Sequence, residues 1–95
     1  MDEINRLIHE PSRLRIMGAL MGLDKDAEVD FTFLRNQLKF TDGNLGAHLE
    51  KLLAAGYIHT RKTFIKRKPR TFISLTRVGR GAFEDHIDVL KKIIG

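Results

Sequence analysis

Residues 41–56 read TDGNLGAHLEKLLAAG. Leu45, Leu49 and Leu52 fall at i, i+4 and i+7, the spacing of one helix face, with Leu53 flanking them. Thr41 is a good N-cap, and Asp42 sits in the first turn, where the helix dipole favours negative charge. Gly56 stands where a helix ends in a left-handed residue. The spacing predicts a helix from Asp42 to Ala55. Its opposite face carries Gly43, Ala47, Glu50 and Ala54, with Asn44 and Lys51 at the border.

Working upstream, Lys39-Phe40-Thr41 joins this helix to a shorter one, Phe33–Lys39, in which Leu34 and Leu38 face inward and Thr32 is the expected cap. Val29–Phe31 is a candidate edge strand behind a polar connection, Leu23–Glu28. Before it, Pro11 suits the first turn of a helix reaching Met21, with Leu14, Met17 and Leu20 at helical spacing and Gly22 as C-cap. Asp2–His9 forms an amphipathic helical stretch with Ile4, Leu7 and Ile8 on one face. Downstream, period 2 takes over. Tyr57–Phe64 and Thr71–Leu75 are rich in β-branched and aromatic residues, and Ile65–Arg70 reads as a long basic hairpin tip. Thr76 caps a last helix, Arg77–Ile94, whose Phe83, Ile87, Leu90 and Ile94 form a seam. Phe64 and Phe72 are expected in the core.

The chain has 95 residues, 42% of them hydrophobic and 31% charged. That fits one globular domain, too apolar to be disordered. A chain this short buries only about 60–65% of the surface its unfolded form exposes, so an oligomer interface would help it. With no cysteine, disulfides, thiolate metal sites and cysteine nucleophiles are excluded. The early residues carry Glu3, Arg6, Glu10, Arg13 and Arg15, which leaves no signal-peptide apolar region, and no apolar run approaches the ~18 residues of a membrane span. The expectation is a cytoplasmic protein.

The net charge of +5 is unevenly spread. Ile58–Arg80 holds eight basic residues and no acidic one, and the rest of the chain sums to −3. Six of those cations, Arg61, Lys62, Lys66, Arg67, Lys68 and Arg70, lie within ten residues. Such clustering points to an anionic partner, since six cations with no counter-charge in the run are unusual for the alternative, a merely solvated loop. Helix, three-residue joint, helix and basic hairpin, in that order, make a helix-turn-helix with a wing.

In these residues the chain resembles the winged helix-turn-helix transcriptional regulators of the MarR and ArsR type, in particular their compact single-domain group. The resemblance rests on His9–Ile16, Phe31–Leu34, Thr41–Leu52, Ala55–Ile58, Lys68–Thr71 and Ser74–Arg80. It implies an α+β, mainly α, fold with a small antiparallel sheet and a C-terminal dimerisation helix. It also implies homodimeric, sequence-specific binding of double-stranded DNA, and leaves any small-molecule effector open.

Within that frame Thr41, Gly43, Asn44, Ala47 and His48 are the residues expected at base edges, since the N-terminal part of a recognition helix enters the major groove. His48 has an alternative, packing beside Leu52 and bonding within the protein. Lys51, Arg61, Lys62, Lys66, Arg67, Lys68 and Arg70 are expected at phosphates or in the minor groove. Ile4, Leu7 and Ile8 with Phe83, Ile87, Leu90 and Ile94 are the expected dimer surface, with His86 beside them. Glu84, Asp85, His86 and Asp88 resemble metal ligands, but side chains two apart on a helix diverge, so no metal or other cofactor is expected. No phosphate loop, paired-carboxylate cleft or activated nucleophile is present, and no enzyme is expected. The rival readings are a protein-interaction module whose basic wing meets an acidic partner, and a binder of RNA or single strands.

Overall fold

The computed structural model describes Glu3–Gly95; Asp2, placed in the first helical stretch above, lies outside the described residues. Thr41 Oγ1 accepts the Asn44 amide at 3.1 Å and starts a helix, α4, over Asp42–Ala54. Leu45, Leu49 and Leu52 are buried on it, whereas Leu53 is 45% exposed. Four helices and three strands complete the fold: α1 (Arg6–His9), α2 (Pro11–Met21), β1 (Val29–Asp30), α3 (Phe31–Leu38), β2 (Ile58–Ile65), β3 (Lys68–Leu75) and α5 (Arg77–Ile94).

Several boundaries move, for identifiable reasons. α1 begins only after Asn5, whose side chain accepts the Ile8 amide at 3.1 Å. α3 starts two residues early because Asp30, not Thr32, caps it, accepting the Phe33 amide at 3.2 Å. It stops before Lys39, which is left-handed with φ 59°. There the Phe40 amide reaches Arg35 O at 3.0 Å and the Lys39 amide reaches Asn36 O at 3.3 Å. The same paired closure ends α4, where Tyr57 N bonds Leu52 O and Gly56 N, at φ 76°, bonds Leu53 O. Both helices of the turn motif thus end the same way, once on a glycine and once on a lysine. Gly22 is right-handed and needs no such freedom.

The sheet has the order β1-β3-β2, antiparallel throughout, with β1 at the edge. β2 and β3 pair from Ile58↔Leu75 to Ile65↔Lys68, so the expected six-residue tip shrinks to Lys66 and Arg67. Both are left-handed, at φ 53° and 67°, as a two-residue mirror-image turn demands. Pro69 lies within β3 opposite Phe64. In a two-residue hairpin that is a non-hydrogen-bonded pair, so proline's missing N–H would point to the outer edge, and β1 extends only along Phe72 and Ile73.

The core gathers Ile8, Ile16, Met17, Leu20, Leu34, Leu45, Leu49, Leu52, Ile58 and Ile73. Ile8 is fully buried within the single chain and so is not available to a dimer surface. Leu7 and Phe83 are half-buried against the same core. Phe64, expected inside, is 73% exposed, because the hairpin carries it beyond the end of the helical layer.

His86 is also interior, at 1% exposure, and not at a dimer contact. Its Nε2 lies 3.3 Å from His9 Nδ1, its Nδ1 accepts the Asn5 amide at 3.4 Å, and Asn5 Nδ2 donates to Tyr57 Oη at 2.9 Å. These contacts fasten α1 to α5. Burial, and then repulsion from His9, hold the His86 pKa below its ordinary 6.5. The unfolded chain therefore takes up the proton first as pH falls. The His86 contribution to stability is complete above about pH 6.5 and is lost below it. Urea titrations should show wild type less stable at about pH 5.0 than at about pH 7.5. His86→Leu should flatten that interval; an unchanged slope would show that His86 does not carry it.

Candidate nucleic-acid interface

Thr41, Gly43, Asn44, Ala47 and Lys51 are all exposed on α4. A Cβ built on Gly43 or Gly46 would meet nothing within 4 Å, so neither glycine is explained by packing inside the chain. Asp42 is held by Arg35 of α3, whose Nη1 donates to Oδ1 at 2.6 Å, locking the two helices of the turn motif together. Arg15 reaches the Leu38 carbonyl at 2.5 Å and lies over the Phe40 ring.

His48 differs from its neighbours on this face. It is half-buried, with Nδ1 3.2 Å from Arg13 Nη1 and 3.4 Å from Glu10 Oε2. When Arg13 donates to Nδ1, the outer ring nitrogen carries the proton and is a donor. Arg13 is itself buried and donates from Nε to the Leu7 carbonyl at 2.6 Å. Glu10 caps α2, accepting the Ser12 and Arg13 amides. Its partial burial works to raise its pKa, but those amides, His48 and Arg13 outweigh this and lower it. The α1–α2 junction is thereby bonded to the middle of α4. His48 thus makes the bond within the protein that was its alternative in the sequence, but its partner Arg13, 35 residues away, was not legible there.

The wing gains two counter-charges that are distant in sequence. Arg61 makes a two-pronged pair with Glu28, Nε to Oε2 at 2.9 Å and Nη2 to Oε1 at 2.8 Å, and stacks on Phe72 with its guanidinium 4.7 Å from the ring centre. The Arg61 hydrogen bonds lower the Glu28 pKa, and Glu28 in turn raises that of Arg61. Arg70 lies 3.7 Å from Asp30. Lys62, Lys66, Arg67 and Lys68 are exposed and have no acidic partner among the described residues. Lys62 lines a groove of about 350 Å³ between α4 and the sheet, with Gly46, Glu50, Leu53 and Thr71.

A second surface lies at the far end of the molecule. Ile4 is 39%, Ile93 63% and Ile94 84% exposed, and Ile4 and Ile93 line one shallow cleft. Ile87 and Leu90 are half-buried on the same helix. Glu84, Asp85 and Asp88 are exposed while His86 is buried, which sets the histidine apart from the three carboxylates.

A family model described as a winged helix DNA-binding domain matches residues 12–94. The chain belongs to that family. Its winged helix is 37% identical over 82 residues to an uncharacterized protein of Methanocaldococcus jannaschii, with 86% of each chain covered. Among solved structures it is similar to a transcriptional regulator homologue from Pyrococcus horikoshii, at TM-score 0.85 and 29% identity over 95% of this chain and 86% of that one. HlyU from Vibrio cholerae shares the fold, at TM-score 0.65 and 22% identity over 83% and 78% of the two chains. The winged helix thus has its turn motif in α3–α4 and its wing in β2–β3. No described helix is long and apolar enough to cross a membrane.

Proposed function

We propose that this winged helix is a homodimeric, sequence-specific regulator of transcription of the MarR/ArsR type that works in the cytoplasm and carries no catalytic activity. The observation that carries the reading is the set of four exposed wing cations with no acidic partner among the described residues, Lys62 in the groove beside α4 and Lys66, Arg67 and Lys68 at the tip of the hairpin. The solved relative named as a transcriptional regulator homologue supports the regulatory role. In this reading α4 lies in the major groove, with Thr41, Gly43, Asn44 and Ala47 at base edges. His48, whose Nδ1 accepts from Arg13, offers its outer nitrogen as a donor. Lys51 and the wing cations meet phosphates, and Arg61 and Arg70 serve the wing through Glu28 and Asp30. Ile4, Ile87, Leu90, Ile93 and Ile94 form the dimer contact, because together they leave an apolar patch that a monomer would expose to water.

Selection of bound sites from random duplex DNA, paired with sedimentation, tests this. The expected result is a pseudo-palindrome with half-sites about 10–10.5 bp apart, bound by two chains. A 10.9 kDa monomer at micromolar concentration, or no enrichment, would overturn it. Asn44→Ala should cost about 1–3 kcal/mol at one base position, as loss of a bidentate contact to adenine does. Equal weakening across all sequences would make Asn44 a positioning residue.

A further inference from the structure

The pairing of β2 with β3 decides which side chains share a face. Thr60↔Ile73, Lys62↔Thr71 and Phe64↔Pro69 alternate with Arg61↔Phe72 and Thr63↔Arg70. Ile73 is fully buried, so the first set continues the core face of the sheet outward along the wing. Lys62 and Thr71 on that face line the groove against α4. One pair further out, past the end of the core, stand Phe64 and Pro69, both exposed.

A single exposed apolar side chain needs no explanation. Here an aromatic ring and a proline form a cross-strand pair on the side of the wing that faces α4. Lys62 brackets the pair on the inner side, and Lys66 and Arg67 bracket it at the turn. An apolar pair between cations complements a minor groove, where two phosphate ridges flank sugar walls and base edges. The two-residue turn and Pro69 limit the freedom lost on insertion.

We propose that Phe64, backed by Pro69, is an apolar wedge that the wing presses into the minor groove, parting a base step and bending the duplex. The proposal rests on the DNA-binding reading above. Apolar wedges in the minor groove kink DNA toward the major groove, and pyrimidine–purine steps part most readily. The wing therefore selects for a TA or CA/TG step beside the α4 half-site without reading a base by hydrogen bonds. A single-strand platform is the poorer match, since stacking successive bases takes several aromatic faces, and Phe64 is the exposed aromatic of the wing.

The test uses the full chain and a duplex that wild type selects from a random pool, with end-to-end fluorescence transfer reporting the bend. Wild type should bend the duplex. Phe64→Ala should abolish most of the bend and weaken binding about ten- to hundredfold, the loss expected for one unburied phenylalanine, with the salt dependence unchanged. Phe64→Leu should keep most of the bend. Equal bends for wild type and Phe64→Ala overturn the wedge alone. A Phe64→Ala protein that changes its sedimentation overturns it in favour of a contact between copies. Loss of oligo-dT binding with duplex binding intact overturns it in favour of base stacking. If wild type binds no duplex at all, the DNA-binding reading falls, and the wedge with it.

Discussion

Replacing Lys66, Arg67 and Lys68 together by Ala should weaken duplex binding roughly a thousandfold or more near 0.15 M salt, and weaken operator and random DNA alike. Lys51 and the four wing cations with no acidic partner among the described residues are ten phosphate contacts per dimer. Ten phosphates neutralised give a slope of log K against log[salt] near about −9. Removing three per chain should flatten it by about 5. Phosphate contacts carry no sequence information, so the ratio of operator to random affinity should change little. His48→Ala should do the reverse, leaving the slope and compressing that ratio. A salt titration of both variants on both DNAs separates the roles. If the wing variant keeps its slope and loses operator preference, the wing reads sequence and the assignment is reversed. Arg61→Ala is the internal control. Its charge is already engaged by Glu28, so its effect on the slope should be smaller than that of an unpartnered lysine.

The second large effect concerns folding. Thr76 starts α5 by accepting the Gly79 amide at 2.9 Å and donates to the Gly56 carbonyl at 2.6 Å. This draws the first turn of α5 onto the end of α4. A Cβ on Gly79 would lie 2.0 Å from the Tyr57 carbonyl oxygen. Backbone cannot turn aside as a side chain can, so Gly79→Ala should cost about 3 kcal/mol, the upper end of ordinary overpacking. That is a large part of the roughly 5–14 kcal/mol available to a chain of this size. Gly81→Ala, two residues on, meets nothing within 4 Å and should stabilise by about 1 kcal/mol through helix propensity alone. Chemical denaturation of the pair checks this. Equal midpoints would mean that α5 is free to shift away from Tyr57.

What the chain made legible was local. Thr41 and Thr76 announce their helices because a capping hydroxyl acts three residues away, and Leu45, Leu49 and Leu52 announce the buried face by spacing alone. The extent of the wing was harder. Mirror-image turns favour Asn and Gly, so Lys66-Arg67 gives no turn signal, and Pro69 reads as a breaker unless its outer edge is known to lack a partner strand. Ile8 looked spare because periodicity shows a face without showing what covers it. For the candidate interface, the basic cluster and the small residues of α4 were visible, but which cations remain free was not. Glu28 and Arg61 are 33 residues apart, His48 and Arg13 are 35, and His9 and His86 are 77. Such pairs exist only once the chain has closed.

The cross-strand register of the wing has a consequence for how such a hairpin can change length. Inserting one residue in each arm between Lys62 and Phe64, and between Pro69 and Thr71, extends the reach by about 3.3 Å but turns the terminal apolar pair to the opposite side. Inserting two in each arm extends it by about 6.6 Å and restores the side. Functional variants of this wing should therefore differ by whole pleats, in steps of four residues, with the two-residue intermediates selected against, as though the arm were a ratchet with only every second tooth usable.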